Sequence, residues 1–168
     1  YLKYKNDSIE KFALFVGGNF YANQQGIKWF IKFVVPNIKI KIIIIGNGFE
    51  KIKKELEINN KVKVLGPVES IDKWYLNSHF VIAPIFDGSG MNTKVAEALM
   101  FGKIVVGTSK AFSGYNNLNK DVALVCDKAS DFIDKINELD NMSIEKFNKL
   151  SRSIFENKYS YKAAVKRL

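Results

Sequence analysis

Lys94 and Glu97 lie three residues apart in the apolar helical pattern Asn92–Phe101, just after a loop that carries Gly88 and Gly90. Residues at that spacing share one face of a helix. The two glycines let the backbone turn sharply and approach a ligand closely. A helix starting near Asn92 aims its unpaired N–H groups at the loop, and its dipole favours an anion there. Lys94 adds a cation in the first turn, and Glu97 places a carboxylate beside it. An anion seat next to a carboxylate suits a nucleotide, with phosphates at the helix end and sugar hydroxyls on the acid. The same residues also admit a plainer reading. The loop then only joins a strand to a helix, and Lys94 and Glu97 are a surface pair contributing a few tenths of a kcal/mol.

Other chemistries find little support. Cys126 is the sole cysteine and ends the apolar run VALVC, so it reads as a buried, inert thiol in a reducing compartment. His79 is the sole histidine and has no partner at metal-ligand spacing, so no metal is expected. Neither residue lies in a nucleophile motif. The net charge of +9 invites a nucleic-acid reading. Of the 26 basic residues, however, only Arg152 and Arg167 are arginines, and the lysines are spread along the chain. That is drift in composition, and no nucleic acid is expected. The charge is compatible with an anionic substrate or with peripheral association with an acidic membrane surface. No apolar run approaches the ~20 residues of a membrane span. The polar start YLKYKNDSIEKF lacks a signal-peptide core, and a cytoplasmic protein, at most at the inner face of a membrane, is expected. A chain that begins with Tyr1 instead of Met reads as a piece of something longer.

The elements that must position Lys94 and Glu97 alternate regularly. Strands are expected at Phe12–Gly17, Lys39–Gly46, Val62–Leu65, His79–Pro84, Lys103–Gly107 and Val122–Cys126. Helices are expected at Gln25–Val35, Phe49–Ile58, Ser70–Leu76, Asn92–Phe101, Asp131–Leu139, Ser143–Asn157 and Ser160–Leu168. Trp29 and Phe30 read as packing residues. The alternation predicts an α/β fold, a doubly wound parallel sheet of six strands with helices on both faces, in a single domain over residues 1–168. Ligands in such folds bind past the carboxyl ends of the strands, near the switch in strand order. The loops Gly17–Asn23, Gly66–Glu69 and Ile85–Met91 would converge there.

The residues resemble a known family. Gly17–Ile38, GGNFYANQQGIKWFIKFVVPNI, with Asn23, Gly26, Ile27, Trp29 and Phe30 at their spacing, is similar to the first loop and helix of the C-terminal domain of glycosyltransferases group 1, the retaining enzymes of the GT-B fold. The likeness continues through Ile42–Gly48, Val62–Val68 and Val81–Thr108. It includes Gly-x-Gly-x-x-x-Lys-x-x-Glu-Ala, met by Gly88, Gly90, Lys94, Glu97 and Ala98, and Tyr159–Ser160–Tyr161 near the end.

The resemblance implies a nucleotide-diphosphate sugar as donor and no metal. Glu97 would hold the ribose. Gly90, Met91 and Asn92 would offer N–H groups to the sugar or the diphosphate, and Lys94 would supply charge. Gly18 and Asn19 would approach the phosphates, Ser89 would face the donor, and Pro67–Val68 would lie near the base; Asp87 either contacts the donor or caps its own loop. Two departures stand out. Many members carry a first glutamate where this chain has Ser89. The Arg and Lys that many members use in the first loop correspond to Gly18 and Gln25. The implied whole is a hexosyltransferase in polysaccharide or glycoconjugate synthesis. Its acceptor, a sugar or lipid-linked saccharide, would be held by an N-terminal domain absent here, so this chain alone would be inactive. A non-catalytic nucleotide-sugar-binding module and an epimerase of the same architecture remain as alternatives. A dinucleotide-dependent oxidoreductase does not, because Gly17–Gly18–Asn19–Phe20 is not its glycine fingerprint.

Overall fold

Phe12–Val16 (β1) is apolar at every position and buried at every position, as a strand covered on both faces must be. A computed structural model describes residues 10–165 of the protein. In it β1 pairs in parallel with Lys41–Ile45 (β2) on one side and with Phe80–Ala83 (β4) on the other. Val62–Gly66 (β3) extends the sheet beyond β2, and Val105–Gly107 (β5) and Ala123–Val125 (β6) extend it beyond β4. All pairings are parallel and the order is β3-β2-β1-β4-β5-β6. The expected six-stranded doubly wound sheet is therefore present. The order reverses between β1 and β4, so their carboxyl ends open the crevice where such folds bind ligands. Edge strand β3 alternates buried and less buried residues, as an edge needs only one well-covered face.

Helices α1 (Tyr21–Phe33), α2 (Lys53–Leu56), α3 (Asp72–Asn77) and α4 (Thr93–Met100) fill the connections from β1 to β5, β5 passes to β6 through turns, and α5 (Ala129–Asn141), α6 (Lys149–Ile154) and α7 (Tyr161–Val165) follow β6. The first starts four residues earlier than the periodicity predicts. It buries Gly26, Ile27, Phe30 and Ile31 and ends in the 3-10 turn Val35–Asn37, which contains Pro36. Trp29 packs edge-on against Phe86 and Phe132, with ring centroids 4.6 and 5.9 Å away, in the packing role expected of it.

Two further helices differ from expectation. The one expected over Phe49–Ile58 is a 3-10 turn, Phe49–Ile52, followed by the short α2. Glu50 folds back to accept the Gly48 N–H at 2.8 Å, and Glu57 accepts from Val64 N at 2.7 Å, so both carboxylates serve loop and sheet. The helix expected over Ser143–Asn157 begins only at Lys149. Asn148 N donates to Gly102 O at 2.7 Å, and its side chain accepts from Ser151 N at 3.0 Å, which makes it the N-cap. Five residues of π-helix, Phe155–Tyr159, then continue α6. In α7 Tyr161 is 87% and Val165 49% exposed, while Ala163 is buried. The last turn expected for this helix, with Arg167 and Leu168, lies outside the described residues, as does the polar segment at residues 1–9.

Cys126 is fully buried, and burial pushes its thiol up to about 12, consistent with an inert side chain. Among the described residues no helix is long and apolar enough to cross a membrane, and no group of three His, Cys, Asp or Glu side chains is placed to hold a metal ion.

Candidate functional site

The chain leaves β4 through Pro84 and Ile85 and turns at Gly88 and Gly90, whose φ angles are +111° and +80°. Such angles strain any residue with a Cβ. Asp87 Oδ1 accepts the Gly88 N–H at 2.7 Å and so stiffens the turn. A Cβ at Gly90 would meet no heavy atom within 4 Å, so the space in front of it is open to a ligand. Asn92 is the N-cap of α4, but its side chain does not cap; its Nδ2 donates to Ala111 O at 3.2 Å. The N–H groups of Thr93 and Lys94 consequently find no acceptor among the described residues. Tyr115 braces this helix start from behind. Its hydroxyl donates to Asn92 O at 2.6 Å and accepts from Ala96 N at 3.1 Å.

Lys94 is 6% exposed, so it is no surface residue. Its ammonium lies 5.4 Å from the centroid of the Phe15 ring and donates to Asn23 Oδ1 at 3.1 Å. Asn23 is held in turn by its Nδ2, which donates to Gly18 O at 2.7 Å. Lys94 and Glu97 make no ion pair, nor does any other described carboxylate pair with Lys94. Burial pulls the pKa of Lys94 down to about 8, against a smaller upward pull from Glu97. A buried ammonium without a counter-charge is unfavourable unless an anion joins it.

Glu97 faces the same space. The buried Tyr75 hydroxyl donates to its Oε2 at 2.8 Å, and Tyr75 stacks on Phe101 with rings 4.9 Å apart. Burial, with the Glu97 charge next to it, raises the Tyr75 pKa well above its usual value, so the phenol stays protonated and continues to donate. One carboxylate oxygen is anchored in this way and the other has no partner among the described residues.

Gly26 makes the arrangement possible. A Cβ there would fall 1.7 Å from Pro84 O, so only glycine lets α1 lie against the end of β4 and bring Asn23 to Lys94. Gly26→Ala is expected to push α1 away and destabilise the fold by about 1–3 kcal/mol, the scale of overpacking in a filled interior. Denaturant unfolding checks this; an unchanged midpoint would mean the contact yields freely.

These elements enclose a cleft of about 340 Å³ between the loop after β1 and the glycine loop after β4. Of the expected site residues, Gly18, Asp87, Ser89, Gly90, Met91, Asn92, Lys94 and Glu97 line it. Asn19, Pro67 and Val68 do not. Asn19 ties the loops after β1 and β2 together: its N–H donates to Asn47 O at 2.9 Å and its Nδ2 to Gly48 O at 3.1 Å. Val68 packs against the core, and Pro67 is exposed. Sequence reasoning missed Lys110 and Phe20, which line the cleft, and the bracing roles of Asn23, Tyr75 and Tyr115. Asn23 stood inside a motif already singled out; the tyrosines carried no local signal.

Compared with known proteins, residues 10–141 match the family model described as glycosyl transferases group 1. No curated protein matches the chain. Among solved structures, a point mutant of S. aureus TarM, in complex with fondaparinux, alpha-GlcNAc-glycerol and UDP, is similar over 99% of this chain and 36% of its own, at 18% identity and a TM-score of 0.73. Sucrose-phosphate synthase from Thermosynechococcus elongatus matches 94% of this chain and 43% of its own, at 15% identity and a TM-score of 0.74. The C-terminal domain of the group 1 family protein LpcC from Francisella tularensis matches 90% of this chain and 88% of its own, at 16% identity and a TM-score of 0.69. At these identities the likeness shows the fold. The chain spans less than half the length of the first two of these proteins.

Proposed function

The chain belongs to the glycosyl transferases group 1 family, and from that premise we propose that it is the donor-binding domain of a retaining glycosyltransferase. The donor is a nucleotide-diphosphate sugar. Its diphosphate lies at the start of α4, against the free N–H groups of Thr93 and Lys94 and the Lys94 ammonium. Its ribose hydroxyls donate to Glu97. Met91, Asn92 and Gly90 border the sugar, and the base extends toward Pro67 and Val68. The observation that carries this reading is the buried, unpaired Lys94 in the wall of the cleft.

In transfer, the bond between the anomeric carbon and the diphosphate oxygen breaks and charge builds on the leaving diphosphate. Fixed donors aimed at that charge stabilise it without having to reorganise. The helix N-terminus and Lys94 are such donors, so we read the site as working without a metal. A hydroxyl of a sugar or lipid-linked saccharide accepts the sugar, and a second domain N-terminal to this one holds it. Positioning of that hydroxyl supplies much of the rate. This domain alone is therefore expected to bind donor without transferring sugar.

Titration calorimetry with UDP-, GDP- and ADP-sugars tests the reading. At least one should bind, and Glu97→Gln should weaken it more than tenfold, since each charge-assisted bond contributes ~1.5–3 kcal/mol. The amide keeps an acceptor for Tyr75, so thermal stability should hold. Unchanged affinity in Glu97→Gln would refute the assignment of Glu97.

A further inference from the structure

We propose that Lys110 is a second diphosphate-binding residue, reaching the donor from the turn after β5. This inference rests on the donor-site reading above. Four charged side chains line the cleft: Lys94, Lys110, Asp87 and Glu97. Their formal charges cancel, yet a diphosphate carries at least two negative charges. One oxygen of each carboxylate is engaged, Asp87 Oδ1 by the Gly88 N–H and Glu97 Oε2 by the Tyr75 hydroxyl, and neither carboxylate is an attractive partner for a phosphate. Lys94 is deep and can answer only one charge. Lys110 is exposed at the cleft wall, and its ammonium makes no ion pair among the described residues.

What separates Lys110 from an ordinary surface lysine is the rigidity of its backbone. Thr108 Oγ1 donates to Ile85 O, at the root of the glycine loop, and Thr108 N donates to Ala83 O at 3.2 Å. Ser109 is fixed to Asp127 Oδ1 through its N–H at 2.8 Å and its hydroxyl at 2.9 Å. Ala111 O accepts from Asn92 Nδ2 at 3.2 Å. The residues on both sides of Lys110 are thus tied down, and three of these ties run to the strand end, loop and helix start that form the cleft. The carbonyl of Lys110 itself accepts from Ser113 N at 3.1 Å, and the turn sets the root of its side chain at the cleft wall. A cation held this way gives up little backbone entropy when an anion arrives.

The test measures binding of UDP, GDP and ADP, and of uridine, guanosine and adenosine, to the wild type, Lys110→Ala, Lys110→Arg and Lys94→Met. For whichever diphosphate binds, Lys110→Ala should lower affinity about two- to fivefold, the upper part of the range for an exposed ion contact. The matching nucleoside should bind as before, Lys110→Arg should retain affinity, and the loss should shrink in high salt. If Lys94→Met weakens the diphosphate and Lys110→Ala does not, the proposal is wrong while the donor-site reading stands. Equal losses for diphosphate and nucleoside would also overturn it. If none of the three diphosphates binds the wild type, the donor-site reading fails and this proposal falls with it.

Discussion

Lys94→Met is expected to weaken binding of a nucleoside diphosphate about ten- to a hundredfold and to leave the matching nucleoside nearly unaffected. The side chain is buried beneath the cleft, with its ammonium on Asn23 and over the Phe15 ring. Methionine keeps the apolar stem and much of the volume and removes the ammonium, with its charge and its hydrogen bond to Asn23, so packing of the stem survives. A charge-assisted contact contributes ~1.5–3 kcal/mol, and about 1.4 kcal/mol corresponds to tenfold. The pH dependence supplies a second readout. The ammonium form binds the anion, and in the free protein its pKa lies at about 8. A bound diphosphate favours the charged form and raises that value. Above the range of about pH 6–7 where the terminal phosphate itself titrates, affinity should therefore fall as pH rises past about 8 and flatten again past the bound-state pKa. Lys94→Arg stays charged throughout and should lack the fall. Titration of the nucleobase and of the terminal phosphate affects both proteins alike and cancels in the ratio of their affinities. A wild-type profile that follows Lys94→Arg through pH 8–10 would place the ammonium away from the phosphates.

The features that made Lys94 and Glu97 legible in the sequence are local ones. Gly88, Gly90, the helix start and the spacing of the two residues lie within ten positions, and each has a backbone reason. The strands were legible for a similar reason, since runs such as KIIII are short, β-branched and bounded by glycine. What escaped is what folding brings together from afar. Tyr75 reaches Glu97 across 22 residues, Lys94 reaches Asn23 across 71, and Lys110 shares the cleft only because Thr108 closes on Ile85. The pattern also missed the break before α6. Ser143–Asn157 has helical spacing, but Lys103 and Gly102 claim the backbone at Lys146 and Asn148. Tertiary hydrogen bonds overrode a weak propensity there. Lys103 itself read as the polar start of a strand, and nothing in KIVVG marks it as a buried cation.

Lys103→Met is expected to produce the largest loss of stability of any single lysine change, on the order of 3 kcal/mol. Lys103 is 1% exposed and no described carboxylate pairs with it. Its ammonium donates to Leu76 O at 3.1 Å, to Ser78 O at 2.9 Å, and to Lys146 O. Two of these carbonyls sit at the end of α3, where a helix leaves acceptors unpaired. The third holds the segment before α6. One side chain thus joins three parts of the chain at the end of the sheet opposite the cleft. Methionine fills the space and leaves the carbonyls without a donor, each at a cost of about 1–3 kcal/mol where water cannot reach. Relief of the desolvated charge offsets part of this. In a chain of this size a loss of about 3 kcal/mol lowers the melting temperature by roughly 6–12 °C. Burial, with Lys146 adding repulsion, lowers the Lys103 pKa from 10.5 to about 7. The folded protein then binds fewer protons than the unfolded chain between those values, so this residue's contribution to stability rises with pH across that window. Lys94 contributes a rise of the same sign from about pH 8, and for that reason the comparison is with the variant. The stability gap between wild type and Lys103→Met should widen from pH 7 to pH 10. Urea titrations at several pH values measure it. A gap that is absent at pH 7, or constant through pH 10, would mean that the three carbonyls are satisfied without the ammonium or that its charge is retained throughout.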